Sequence, residues 1–247
     1  MKAEYVFGLY VVESLLRDQP ASVLEIWLQK SRLDEYAASI TTVARQLGIA
    51  VQTTDRARLD RLVDNAVHQG VVARIRPMPI AGEEQLQALI GHLGQDAFLL
   101  FLDGVQDPHN LGACIRTAEA AGVQAVVFPR DRAASLTAVA RKTAAGAAER
   151  TALFQVGNLA RSLESARKAG IWVVGTAGDS DNSIYEVNLS GPLAVVMGAE
   201  GTGLRSRIRG LCDHLVSIPM QGKAESLNVS VATGVALFEA SRQRRPN

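Results

Sequence analysis

Beyond residue 95 the chain repeats one rhythm. Short, mostly apolar runs at 98–102, 125–128, 171–174, 193–197 and 215–218 alternate with helical text at 112–121, 138–148 and 159–169. A last helix is predicted from about residue 228 to 243. Runs this apolar suit strands buried on both faces of a parallel sheet. Strand alternating with helix predicts an α/β domain with ligands near the carboxyl ends of the strands. Before residue 77 the pattern is mixed. Val6, Leu9, Val12, Leu15 and Leu16 recur near helical spacing, and 34–47 reads as a second amphipathic helix ended by Gly48. Short strands are predicted at 23–28, 49–52 and 70–75, which fits a small α+β module. Pro77, Pro79 and Gly82 then break the pattern. The acidic, glutamine-bearing stretch 83–87 has linker composition, although Leu86, Leu89, Ile90 and Leu93 allow a short helix inside it. The predicted division is therefore a domain over 1–76, a linker over 77–94 and a second domain over 95–247.

Composition narrows the class. The 247 residues carry 26 Lys+Arg against 25 Asp+Glu, which excludes a protein that binds nucleic acid by charge density alone. Residues 1–94 hold 10 basic and 11 acidic residues and 95–247 hold 16 and 14, so neither part is a basic tail. Two cysteines, Cys114 and Cys212, are too few for a zinc cluster or a disulfide framework, and no metal is expected. No apolar run approaches the roughly 20 residues of a membrane span. Glu4 and Glu13 interrupt the amino terminus, so no secretory leader is expected and a cytoplasmic location is.

Three predicted strand ends carry unusual residues. Residues 103–116 (DGVQDPHNLGACIR) join a turn to a helix start, whose free amides suit an anion, with Arg116 about one and a half turns inside. The same residues would also serve as a capped turn with Arg116 as a solvated charge. Residues 197–204 (MGAEGTGL) place three glycines and one acid after a strand, so a backbone can pass close to a ligand. The spacing is neither G-x-G-x-x-G nor a P-loop, which disfavours a dinucleotide enzyme. Residues 218–230 (IPMQGKAESLNVS) precede a helix rich in Val, Ala and Thr. Ser226 and Asn228 are good helix caps there, and polar residues at the mouth of a buried helix are also good functional candidates.

Taken together, DPHNLGACIRTAEAAG, VMGAEGTGL and IPMQGKAESLNVSVATGVALFEA resemble, in order and spacing, the three motifs of the SpoU group of SPOUT methyltransferases. The resemblance covers roughly 97–243. In the first domain, Val6-Phe7-Gly8-Leu9 and Ala66-Val67-His68-Gln69-Gly70 are similar to the small RNA-binding module fused to ribose methyltransferases. Those enzymes commonly have a His where this chain has Tyr10. The resemblance implies a parallel sheet with a trefoil knot, an exception to the rule against threaded chains, behind an amino-terminal α+β RNA-binding domain like ribosomal protein L30e.

It further implies S-adenosylmethionine held by Thr176, Ala177, Gly178, Gly198, Ala199, Ile218, Met220, Ser226 and Leu227, and a homodimer in which one subunit completes the other's site. The implied reaction is 2′-O-ribose methylation, by layout that of a guanosine in the peptidyl-transferase P loop of 23S ribosomal RNA. Transfer RNA methylation and non-catalytic RNA binding are the alternatives. Arg116 matches the arginine credited with activating the hydroxyl, as a base or as a group that orients phosphate and stabilises alkoxide. Asn110, Glu200, Ser226 and Asn228 match the other polar positions; Glu200 would pair with Arg116 or order the glycine loop. His109 is a neighbour rather than the base. In the first domain Arg56, Arg58, Arg61, Arg74 and Arg76 are candidates for phosphate contact or solvated charge, with Asp55, Asp60 and Asp64 nearby.

Overall fold

A computed structural model describes residues 4–32, 34–76 and 80–245. Pro77 and Pro79 of the expected linker lie outside them. From the amino end the elements are β1 (Glu4–Phe7), α1 (Leu9–Asp18), β2 (Val23–Gln29), α2 (Glu35–Gln46), β3 (Ala50–Thr54), α3 (Arg56–Leu62) and β4 (Val71–Ile75). There follow α4 (Glu83–Leu93), β5 (Phe98–Asp103), α5 (Pro108–Ala121), β6 (Ala125–Pro129), α6 (Ala138–Ala144), α7 (Ala147–Arg150) and β7 (Ala152–Val156). The chain ends with α8 (Leu159–Lys168), β8 (Trp172–Thr176), β9 (Leu193–Gly198), α9 (Ser206–Arg209), β10 (His214–Val216) and α10 (Val229–Arg244). They form two compact units, Met1–Pro79 with Leu136–Arg150, and Ile80–Ser135 with Thr151–Asn247.

The first unit is built on a mixed sheet in the order β1-β4-β2-β3, with β2 and β3 parallel and the other pairs antiparallel. The apolar stripe from Val6 to Leu16 is not one helix. Val6 and Phe7 pair with Ala73 and Val72, and Gly8, at φ 104, turns the chain from strand into helix. A residue with a β-carbon rarely adopts that φ. Leu9, Val12, Leu15 and Leu16 of α1 pack with Ile26, Ile40, Val71 and Ala73 on one face of the sheet, and Leu59 of α3 packs with Phe7, Trp27 and Val72 on the other. Residues 136–150, which follow two strands of the second unit in sequence, pack here. The Ser14 hydroxyl donates to the Gly146 carbonyl at 3.1 Å, and the Gln19 amide donates to the Glu149 carbonyl at 2.8 Å.

Among the described residues the second unit has six parallel strands in the order β10-β8-β9-β5-β6-β7. β5 is buried along its whole length, which explains its unbroken apolar run. The linker-like stretch after Gly82 is the helix α4. Its Leu86 and Ile90 are buried with Leu159 and Leu163 of α8 against Leu99, Val127 and Val196 of the sheet, so burial of one apolar face fixes it. α5 and α10 pack on each other, and α10 also packs on β9. From β5 the chain moves outward through β6 to β7, then returns to the far side for β8, β9 and β10. The reversal leaves the carboxyl ends of β5 and β9 side by side, the place where open α/β sheets bind ligands.

Candidate cofactor and catalytic site

A cavity of about 380 Å³ opens at the carboxyl ends of β8, β9 and β10. All nine residues expected around a cofactor line it: Thr176, Ala177 and Gly178 beyond β8, Gly198 and Ala199 at the end of β9, Ile218 and Met220 beyond β10, and Ser226 and Leu227 before α10. Glu200 also lines it, with Met197, Ser217, Glu225, Val229 and Ala232, which the sequence reading had not singled out. They sit beside motif residues and lack any type-specific signal of their own. The wall depends on Gly198. A β-carbon there would overlap the Gly203 carbonyl group and the Leu204 amide nitrogen. That close approach lets Ala199 and Gly203 exchange backbone hydrogen bonds of 3.2 and 2.9 Å, forming a tight loop with Glu200 exposed at its bend.

The polar residues form a network at the rim. The Asn228 side-chain amide donates to Asn110 Oδ1 at 3.0 Å, and the Asn110 amide donates to Glu200 Oε2 at 3.4 Å. Asn228 Oδ1 accepts from the amide and hydroxyl of Ser230 at 2.9 and 2.6 Å, so Asn228 caps α10. This corrects the reading of Ser226 as that cap: the helix begins at Val229, and Ser226 is exposed on the cavity wall instead. Asp107 caps α5 by accepting from the His109 amide at 2.8 Å, with Pro108 in the first turn. Asn110 therefore leaves from a fixed helix start.

Arg116 is not in this group. It is exposed on α5, does not line the cavity, and forms no ion pair with the described residues. Glu200 binds the Asn110 amide instead of Arg116. His109 is exposed beside the group. Sequence reasoning missed Asp103, the last residue of β5. It is buried, and its carboxylate accepts from the Arg205 backbone amide at 2.9 Å and from Arg205 Nε at 2.6 Å. This pair ties the end of β5 to the chain leaving the glycine loop. A carboxylate ending an apolar strand was the available signal, because a buried charge needs a partner.

The family described as the SpoU rRNA Methylase family matches residues 97–238. The chain belongs to the SpoU rRNA methylase family. A second family, RNA 2′-O ribose methyltransferase substrate binding, matches residues 5–81 of this SpoU chain. The 23S rRNA (guanosine-2′-O-)-methyltransferase RlmB of Shewanella oneidensis is 50% identical over 244 residues, 99% of each chain. The protein of the same name from Pseudomonas aeruginosa is 51% identical over 243 residues, 98% of each chain. Among solved structures, the SpoU methyltransferase AviRb from Streptomyces viridochromogenes in complex with AdoMet has a TM-score of 0.79 at 25% identity, covering 97% of this chain and 90% of that one. The SpoU chain thus combines a parallel-sheet methylase domain with an amino-terminal substrate-binding domain.

Proposed function

We propose that the chain is an S-adenosylmethionine-dependent 2′-O-ribose methyltransferase acting on a guanosine of 23S ribosomal RNA, in the P loop of the peptidyl-transferase centre. The observation that carries this reading is the junction of the Asn228–Asn110–Glu200 network with the strand-end cavity at Glu200. The end-to-end identity of about half to proteins named 23S rRNA (guanosine-2′-O-)-methyltransferase supports a 23S guanosine as substrate.

The cavity suits the cofactor. Its volume falls within the roughly 300–1,000 Å³ of small-ligand sites, and Ala177, Met197, Ile218, Leu227 and Val229 offer apolar walls for a purine. Thr176, Ser217 and Ser226 offer hydroxyls for the polar parts. Bound there, S-adenosylmethionine supplies a sulfonium methyl group. The chain's own residues must then align a ribose hydroxyl and offset the charge left as its proton departs. Asn110 and Asn228 orient ribose or phosphate, and Glu200 fixes the Asn110 amide. A guanidinium holds its proton at neutral pH, so Arg116 acts electrostatically, on the phosphate and the developing alkoxide.

Arg116 reaches such a site in a homodimer, one copy supplying it to the cavity of the other. The support is α10, whose Val231 and Phe238 are exposed, and the position of Arg116 off its own cavity wall. The reading assigns RNA binding to the domain over 1–76 and catalysis to that over 95–247; of the expected linker over 77–94, α4 packs with the catalytic unit, and 136–150 pack with the first. A trefoil knot in the catalytic domain fits the loop over 177–192. That loop hydrogen-bonds the chain leaving β10, through Ile184 and Ser217 at 2.9 Å, and also α10, through Leu189 and Gln243 at 2.8 Å. The mixed sheet under α1 and α2 fits an L30e-like first domain. Ribosomal RNA as substrate favours a cytoplasmic location. Among the described residues no helix is long and apolar enough to cross a membrane, and no cluster could hold a metal ion.

The test is to incubate the protein with labelled S-adenosylmethionine and undermodified ribosomal or transfer RNA, and to map the label. It is expected on the 2′-oxygen of one guanosine of 23S RNA. Arg116→Ala should abolish transfer while cofactor still binds. Label on a base, on transfer RNA alone or on no RNA overturns the reading.

A further inference from the structure

A second cavity, of about 370 Å³, lies at the carboxyl ends of β6 and β7, at the same end of the sheet as the first. Pro129 of β6, Gly157 beyond β7 and the first turn of α8 form its walls, and three arginines line it: Arg132, Arg205 and Arg207. Arg205 is fixed by the buried Asp103 yet keeps half of its side chain exposed. Arg207 is 70% exposed, and its contact with Glu164 is 3.7 Å long, a spacing that is weak in water. Arg132 is exposed, and no side chain among the described residues pairs with it. Against these cations the wall carries one carboxylate, Asp131. Glu83 accepts from the Gly157 and Asn158 amides at 2.9 and 3.1 Å, so those amides at the mouth of α8 are already taken. The three guanidinium groups are the positive charges that line the cavity.

The two cavities adjoin across Gly104. A β-carbon on Gly104 would stand 3.8 Å from the Ala199 methyl group, on the cofactor wall, and 3.9 Å from the Arg132 carbonyl. The Ala134 amide holds the same loop down by donating to the Val105 carbonyl at 2.8 Å. Guanidinium forks match phosphate oxygens in geometry and charge. A nucleotide whose ribose is presented at the first cavity carries a phosphodiester on each side.

We infer that the Arg132–Arg205–Arg207 cavity binds a backbone phosphate of the RNA strand adjoining the methylated nucleotide. The inference rests on the methyltransferase reading and adds the direction the strand takes, along the carboxyl ends of β5 and β6 toward β7.

The double variant Arg132→Gln/Arg207→Gln tests it, with Arg205 left in place because it also anchors Asp103. The probe is a transcript of the 23S segment that holds the target guanosine, bound over a range of salt concentrations. Cofactor affinity and melting temperature should match the wild type. RNA affinity at low salt should fall by about tenfold or more, and the slope of log affinity on log salt should become shallower by about one to two. Arg132→Gln alone should give about half that change in slope. Wild-type RNA affinity and slope in the double variant overturn the inference. A wild-type protein that methylates no ribosomal RNA instead brings down the underlying reading, and the binding comparison still decides the cavity. Inorganic phosphate is the control for a small anion. If it raises the wild-type melting temperature while the RNA slope is the same in both proteins, the site belongs to free phosphate and the RNA assignment fails.

Discussion

Gly198 illustrates how one residue can hold a site together. Its hydrogen lies where a methyl group would overlap the Gly203 carbonyl, so the glycine loop closes only over a glycine. Gly198→Ala should cost about 1–3 kcal/mol of stability and, by pushing the loop outward, lower S-adenosylmethionine affinity by at least tenfold. Titration calorimetry beside a melting curve checks it, and wild-type affinity would remove the loop from the cofactor wall. The cysteines make an opposite case. Burial pushes the Cys114 and Cys212 thiols up to about 11. Both therefore stay protonated near neutrality, and thiol reagents should label the native protein slowly at pH 7 and rapidly in urea. Because these folded values lie above the unfolded ones, the associated stability is present below about pH 8.5 and is lost as pH rises through about 11. Fast native labelling at pH 7 would contradict that burial. The bonding of Asn110, Asn228 and Glu200 was foreshadowed by their motif positions, whereas the place of Arg116 was not. A motif fixes order along a helix, but the side that an exposed arginine serves depends on what docks there.

Among elements, legibility followed burial. β5, β6 and β9 of the second unit stand out in the sequence because they are apolar and buried on both faces. β7 carries no clear strand signal, because Gln155 breaks its five residues and Ala152 is exposed. α3 was missed because only Leu59 of its seven residues is buried, which leaves no stripe to see. In the sequence pattern β1 merges with the helix that follows, since only Gly8 separates two apolar segments. Helices α6 and α7 were legible as helical text, but nothing local says with which unit they pack. There, Arg141 and Glu149 form a buried ion pair at 2.8 Å. Burial pushes the Glu149 carboxyl above its ordinary range, and Arg141 pulls against that shift. Glu149→Ala would leave a buried guanidinium uncompensated, at a cost of about 3–5 kcal/mol. Chemical denaturation should show the loss, and a change below about 1 kcal/mol would mean that water reaches Arg141 in place of the carboxylate.

For the whole molecule, charge balance carries a sharper meaning than it did as a count. A net charge of +1 is compatible with an RNA substrate because arginines gather at one place: Arg132, Arg205 and Arg207 line the second cavity beside Asp131, with Asp103 and Glu164 paired to Arg205 and Arg207. The proposed dimer is tested at α10, whose Val231 and Phe238 are exposed. Phe238→Glu on its exposed face should convert the proposed dimer to monomer and abolish methylation, which light scattering and the transfer assay would report. A dimer that persists with full activity would place the interface elsewhere. The interleaving of the two units bears on how the protein is made. The first unit needs Gly146 and Glu149 to satisfy Ser14 and Gln19, so it cannot be finished when residue 79 leaves the ribosome. At about 5–20 residues per second, synthesis up to residue 150 takes several seconds more, and β5 and β6 are exposed before the first unit can close. Their apolar edges are then open to chaperones or to neighbouring chains, and slowed translation across residues 80–150 should raise misfolding more than slowing anywhere later.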